Sequence, residues 1–246
     1  MLAADGRPAE SLAMFEGLRA RLQAEGHPMR ETFLVSWAHA ALAAGQVALA
    51  ERLLSQVERE PGGEGFVLYD SALWWARARI RRARAEDFGD CLEALDRLPP
   101  LATGPTLHQQ VVKAVLRSPA RAELESLLAR VRKAGYAALE RLAGQVAATQ
   151  ALEENRLQDA RNHCHRFLQL ESSIDAWADE RASVWLTAVN VLLKVGDRAE
   201  ARRVQEVATA WIDAQTTQWP DAEQRRAWRE GHPLHARLLQ HEISAD

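Results

Sequence analysis

Small residues twelve positions apart, one on each side of a turn, recur along this chain, and they constrain its fold more than any other feature. In "LLKVGDRAEARRV" (residues 192–204) the pair Gly196-Asp197 separates two apolar-periodic stretches. Trp185, Ala188, Val189 and Leu192 precede it at i, i+3, i+4 and i+7, and Ala201, Val204, Gln205 and Ala208 follow it at the same spacing. Each set marks one face of a helix. Val189 and Ala201 let two backbones approach closely across the turn. The frame returns with Ala38 and Ala50 around Gly45, and with Ala148 and Ala160 around Asn155. Around Phe88 it is looser, with Ala78 and Cys91 thirteen apart.

The rest of the chain agrees with helices. Ala, Leu, Arg, Glu and Gln dominate, all good helix formers, while alternating runs of β-branched and aromatic residues are missing and Tyr occurs twice. Breakers stand at "EGHP" (25–28), Gly45-Gln46, "PGGEG" (61–65), "PPLATGP" (99–105), Ser118-Pro119, Asn155-Arg156, Gly196-Asp197 and Trp219-Pro220. The expected fold is all-α, about ten to twelve helices in antiparallel pairs with short turns. Residues 1–246 read as a single helical-repeat domain with a candidate hinge at 99–105, where three prolines and a glycine fall together.

The hairpin frame resembles the tetratricopeptide repeat, two antiparallel helices in about 34 residues with a small-residue contact between them. In the copy at 182–215, Trp185, Ala188, Leu192, Gly196-Asp197 and Ala201 fall at that repeat's large, small and turn positions. The copies at 31–64 and 141–173 match with fewer large residues, the repeat-end proline is present only near Pro61, and 100–135 fits no copy and reads as an irregular helix pair. The resemblance implies hairpins stacked in a right-handed superhelix. It carries fold and not chemistry, because the matched positions are packing positions.

The last fifty residues resemble the end of the helical-repeat region in large multidomain bacterial transcription regulators, those with a bacterial transcriptional activator domain and an ATPase module. Trp219-Pro220, Arg226-Ala227-Trp228, and Pro233 with Leu238-Leu239 carry the match; Trp228-Arg229 stands where that family has Phe-Leu. The resemblance implies a signalling region, fused in its parent protein to DNA-binding or ATPase domains.

No reaction is legible. The chain has no Gly-rich phosphate loop, no serine in a strand-to-helix elbow, no HExxH and no CxxC. His163, Cys164 and His165 in "NHCHRF" are metal-ligand types, but helical neighbours point about 100° apart and cannot share one ion unaided. A small helical enzyme or metal protein built on these three is the alternative reading. His232 and His235 face one side, but His241 falls off it and no acid is near; a capped helix start at Pro233 is the simpler account. Neither cluster is expected to hold a metal, and no cofactor is expected. Arg77, Arg81 and Arg84 share a helix face at i, i+4 and i+7, just after Trp74 and Trp75. One tryptophan is expected to face the core and the other a groove, forming with the arginines a contact patch for a protein, peptide or small effector. A net charge of −3 gives no argument for direct nucleic-acid contact. No apolar run of membrane-spanning length is present, the first ten residues lack an apolar signal core, and two cysteines make no disulfide framework, so a cytoplasmic location is expected.

Overall fold

The structure, a computed structural model, describes residues 7–22, 29–57, 67–99, 103–170 and 181–240. Thirteen α-helices and one π-helical turn account for the secondary structure among these residues, with no strand. That is one helix more than the upper end of the expected range. The chain divides into two compact units, Met1–Leu116 and Arg117–Asp246. The expected hinge at 99–105 lies partly outside the described residues, and α6 already begins at Thr103.

The first unit holds α1 (Pro8–Leu22), α2 (Arg30–Ala43), α3 (Val47–Leu54), α4 (Val67–Ala83), α5 (Gly89–Arg97) and α6 (Thr103–Arg117). Phe15 of α1 packs on Phe33 and Trp37 of α2, with ring centroids 5.4 and 6.3 Å away. Trp74, Trp75 and Ala78 of α4, Cys91, Ala94 and Leu95 of α5, and Val112 and Leu116 of α6 form one buried cluster. The second unit holds α7 (Arg121–Ala134), α8 (Ala137–Glu153), α9 (Leu157–Gln169), α10 (Arg181–Lys194), α11 (Arg198–Thr216), α12 (Ala222–Arg226), a π-turn (Ala227–Gly231) and α13 (Pro233–Gln240). Its core runs from Ala148 on α8 through Phe167, Trp185, Leu192, Ala201 and Ile212 to Leu238 on α13.

The hairpin turns share one hydrogen-bond skeleton. Gly45, Asn155 and Gly196 all adopt positive φ, at 73°, 57° and 83°. The next residue donates its amide to the carbonyl five positions back: Gln46 to Ala41 at 2.8 Å, Arg156 to Ala151 at 2.7 Å, Asp197 to Leu192 at 2.8 Å. This is the left-handed helix ending that satisfies last-turn carbonyls. The carbonyl of that same residue then accepts the first helical hydrogen bond of the following helix, from the amides of Ala50, Ala160 and Ala201 at 3.0–3.1 Å. The donors of those bonds are the second members of the small pairs, and all six pair residues are fully buried. Packing and turn are thus two views of one device.

Two further turns use the same ending. Ala85, at φ 56°, precedes Glu86, whose amide bonds Arg81 O at 2.9 Å. Here the next helix starts only after Phe88, which lengthens the turn and gives the thirteen-residue spacing of Ala78 and Cys91. Gly135, at φ 74°, precedes Tyr136, bonded to Val131 O at 3.3 Å. So the stretch read as irregular ends in a regular turn, and the residue in the small-pair position is Glu140.

A Cβ built on Gly196 meets nothing within 4 Å, so a substitution there is opposed only by the left-handed backbone. Gly196→Ala is expected to cost about 1 kcal/mol, read as a lower urea midpoint with unchanged slope. A gain in stability would contradict the turn.

Candidate functional site

The arginine face is on α4, and most of its donors are taken within the chain. Arg77 lies over the Trp74 ring, 4.6 Å from the centroid, and donates to Val57 O at 3.2 Å. Arg81 donates to Asp87 O at 3.1 Å and to Asp90 Oδ1 at 2.5 Å. Arg84 grips Glu51 of α3 with both terminal nitrogens, at 2.6 and 2.5 Å. The Arg81 and Arg84 side chains nevertheless keep 38% of their surface in solvent. Trp74 and Trp75 do not divide between core and groove: both are buried. The reason is that α2, α3 and α5 all pack against α4, so positions about 100° apart on its surface both meet neighbours.

The His163–Cys164–His165 stretch is split by helical geometry. Cys164 is fully buried, its thiol 3.9 Å from Ala188 O, and burial pushes its pKa up to about 12. A protonated thiol is neither nucleophile nor ligand. His165 and Arg161 share a long contact of 3.4 Å from Nε to Nε2, and His163 is held below the ordinary imidazole range by burial and then by the nearby positive charge of Arg132. Among the described residues there is no group of three or more His, Cys, Asp or Glu placed to hold a metal ion, and no helix is long and apolar enough to cross a membrane.

Several side-chain arrangements were not visible in the sequence. In the first unit, His39 of α2 is buried, with Nε2 2.9 Å from Ala72 O, and its Nδ1 makes no hydrogen bond. Burial, then the positive charge of Arg79, lower its pKa to about 3. Ser71 Oγ of α4 lies 3.3 Å from His108 Nδ1 of α6. This has the look of a nucleophile and its base, but Ser71 is 1% exposed and no substrate atom could reach it. In the second unit, Glu140 is gripped by Arg132 of α7 at 2.7 Å and by Arg166 of α9 at 2.9 Å. Burial alone would raise its pKa; the hydrogen bonds from Arg166 and Arg132 outweigh that and leave it below the ordinary carboxylate value. The carboxylate therefore ties three helices. Arg161 of α9 makes a similar tie, reaching the helix-capping Asp197 of the next hairpin at 2.7 Å.

A further arrangement is an aromatic nest at the end of the second unit. Trp185, Trp211, Trp228 and Trp219 follow one another with centroids 5.2–5.9 Å apart. His235 meets the Trp228 ring edge-on at 4.3 Å, and His232 stacks on His235 at 4.0 Å. The shared helix side expected for His232 and His235 is thus realised as ring-on-ring contact. The eight tryptophans of the sequence signal such filling but not its location.

No family model matches the sequence, and no curated protein and no solved structure is significantly similar to it.

Proposed function

We propose that this chain is a helical-repeat binding region that does no chemistry of its own, of the kind found in multidomain bacterial regulators of transcription. The observation that carries the reading is the repeated turn: the same positive-φ residue, the same backward hydrogen bond and the same buried small pair at Gly45, Asn155 and Gly196. Hairpins built to one plan stack on one another, and a tetratricopeptide-like right-handed superhelix is the arrangement proposed for them. The units are longer than that repeat's roughly 34 residues, since turn residues 45 and 85 are forty apart and 155 and 196 forty-one apart. The C-terminal Trp219-Pro220 and Pro233…Leu238-Leu239 pattern supports a place beside DNA-binding or ATPase domains.

The working surface proposed is the face of α4 carrying Arg77, Arg81 and Arg84, and its partner an acidic peptide or a carboxylate-bearing effector. Trp74 contributes by supporting Arg77 from below and Trp75 by anchoring the helix. The fork already set around Glu51 is the geometry that recognises a carboxylate in two parallel bonds. A partner would exchange its own carboxylate for Glu51 or Asp90. That exchange gives a test with opposite signs. Against immobilised acidic peptides, Arg84→Gln is expected to weaken binding a few-fold and Glu51→Gln to tighten it a few-fold, the range of exposed ion pairs. Equal affinity in all three proteins would remove the patch. Turnover of any substrate that His163→Ala or His165→Ala abolishes would overturn the non-catalytic reading.

A further inference from the structure

We propose that Arg132 and Arg166, both anchored on the buried carboxylate of Glu140, form a binding site for a phosphate group, free or carried by a small phosphomonoester. The first sign is a departure from the repeat. Five residues after the left-handed turn residue, three hairpins place Ala50, Ala160 and Ala201, all fully buried. Five residues after Gly135 the chain places Glu140, which is also buried. Alanine is enough for the close helix contact, whereas a buried carboxylate must be compensated for leaving water. Glu140 keeps its charge: burial opposes this, and the bonds from Arg166 and Arg132 outweigh it.

Each arginine reaches Glu140 through its Nε edge. Arg132 Nε lies 2.7 Å and Arg166 Nε 2.9 Å from the same oxygen, Oε1. Of the terminal nitrogens only Arg166 Nη2 takes part, at a long 3.4 Å from Oε2. Among the described residues the two guanidinium groups have no other hydrogen bond or ion pair. Both terminal nitrogens of Arg132 and Nη1 of Arg166 are therefore unused. The two arginine side chains are 46% and 48% exposed and that of Glu140 is 7% exposed, so the anchor lies beneath and the forks meet solvent. Arg132 and Arg166 stand in the last turns of α7 and α9, and Glu140 in the first turn of α8, the helix ends that favour each sign of charge. That placement explains the tie through Nε and leaves the terminal nitrogens without a task.

One carboxylate between two guanidinium groups leaves a positive charge in excess. His163 stands one turn before Arg166 on α9; burial, then the charge of Arg132, lower its pKa, so it is neutral at pH 7. The two carboxylates that act on His163 are committed, Asp159 to Arg156 at 2.5 Å and Glu125 to Arg121 at 2.6 Å. A ligand carboxylate presents two oxygens in one plane and suits one fork. Two forks that arrive from different helices suit a tetrahedral phosphate, which meets each with different oxygens. The site lies within the second unit and does not rest on the α4 patch.

The test is titration of the full chain with inorganic phosphate, phenyl phosphate and acetate at fixed pH and ionic strength, followed through the arginine side-chain nitrogen signals in NMR. Phosphate is expected to shift the Nε signals of Arg132 and Arg166 saturably, and to bind about tenfold more tightly than acetate. Arg132→Gln and Arg166→Gln are each expected to weaken phosphate binding about tenfold. Arg130→Gln, the same change of charge at an exposed arginine of the same helix, is expected to change it less than about twofold. Glu140→Ala restores the residue that the other hairpins carry and adds a positive charge. It is nevertheless expected to weaken phosphate binding, because the two forks lose their common anchor. Phenyl phosphate binding more tightly than inorganic phosphate assigns an organic ester, and equal or weaker binding the free anion. No saturable shift, acetate as tight as phosphate, affinity unchanged in Arg132→Gln or Arg166→Gln, an equal loss in Arg130→Gln, or affinity unchanged or tighter in Glu140→Ala would each overturn the site.

Discussion

Trp228→Ala is expected to cost about 3–5 kcal/mol, the range for truncating a buried tryptophan. The ring is 2% exposed and lies between Trp211, Trp219, His232 and His235. Its indole nitrogen donates to Ile212 O at 3.4 Å, so truncation also removes a bond between the π-turn and α11. The cost is a large fraction of the 5–15 kcal/mol that holds a typical domain together. It falls on the C-terminal segment first, because Trp228 packs that segment on Trp211 and bonds it to Ile212 O. Chemical denaturation followed by tryptophan fluorescence measures it. A loss below about 1 kcal/mol would mean that the nest is a surface ornament and not part of the core.

The second large effect is at the hairpin contacts. Ala201 is fully buried, one turn into α11, in the same buried cluster as Val189 of α10. Ala160 holds the corresponding place on α9 and is fully buried, on a hairpin so close that a Cβ on Gly144 would stand 3.3 Å from Phe167. Neither site has room for a ring. Ala201→Phe and Ala160→Phe are each expected to destabilise by about 1–3 kcal/mol through overpacking. Ala199→Phe, two residues from Ala201 on the exposed side, should stay within about 0.5 kcal/mol. Equal melting temperatures for Ala199→Phe and Ala201→Phe would remove the small-pair contact from the account.

The contrast between turns shows which parts of this fold a sequence can display. Ala38–Ala50, Ala148–Ala160 and Val189–Ala201 are legible because a close helix contact demands small residues, and a fixed turn length puts them at fixed separation. The Gly135 turn escapes the same reading. The position that elsewhere holds alanine holds Glu140, and the carboxylate is tolerated there only because Arg132 and Arg166 arrive from α7 and α9. Those partners are eight and twenty-six residues away, and no periodicity announces them. Trp74 and Trp75 fail for a related reason. A helical period says which positions share a face of α4, but not how many faces are covered, and α2, α3 and α5 all cover it. The shared side of His232 and His235 is legible from their spacing; their stacking against Trp228 depends on the π-turn, which spacing does not specify.

The repeated turn is the claim on which the rest stands, and hydrogen exchange at single residues tests it most directly. Gln46, Arg156 and Asp197 lie at helix ends, where amides ordinarily exchange fast, yet each is bonded to a carbonyl five positions back. Their amides, with Glu86 and Tyr136, are predicted to be protected, and Gln46, Arg156 and Asp197 to a similar degree because their bonds are nearly equal in length. Exchange of these amides at the rate of an unstructured peptide would contradict the shared skeleton, and with it the repeat.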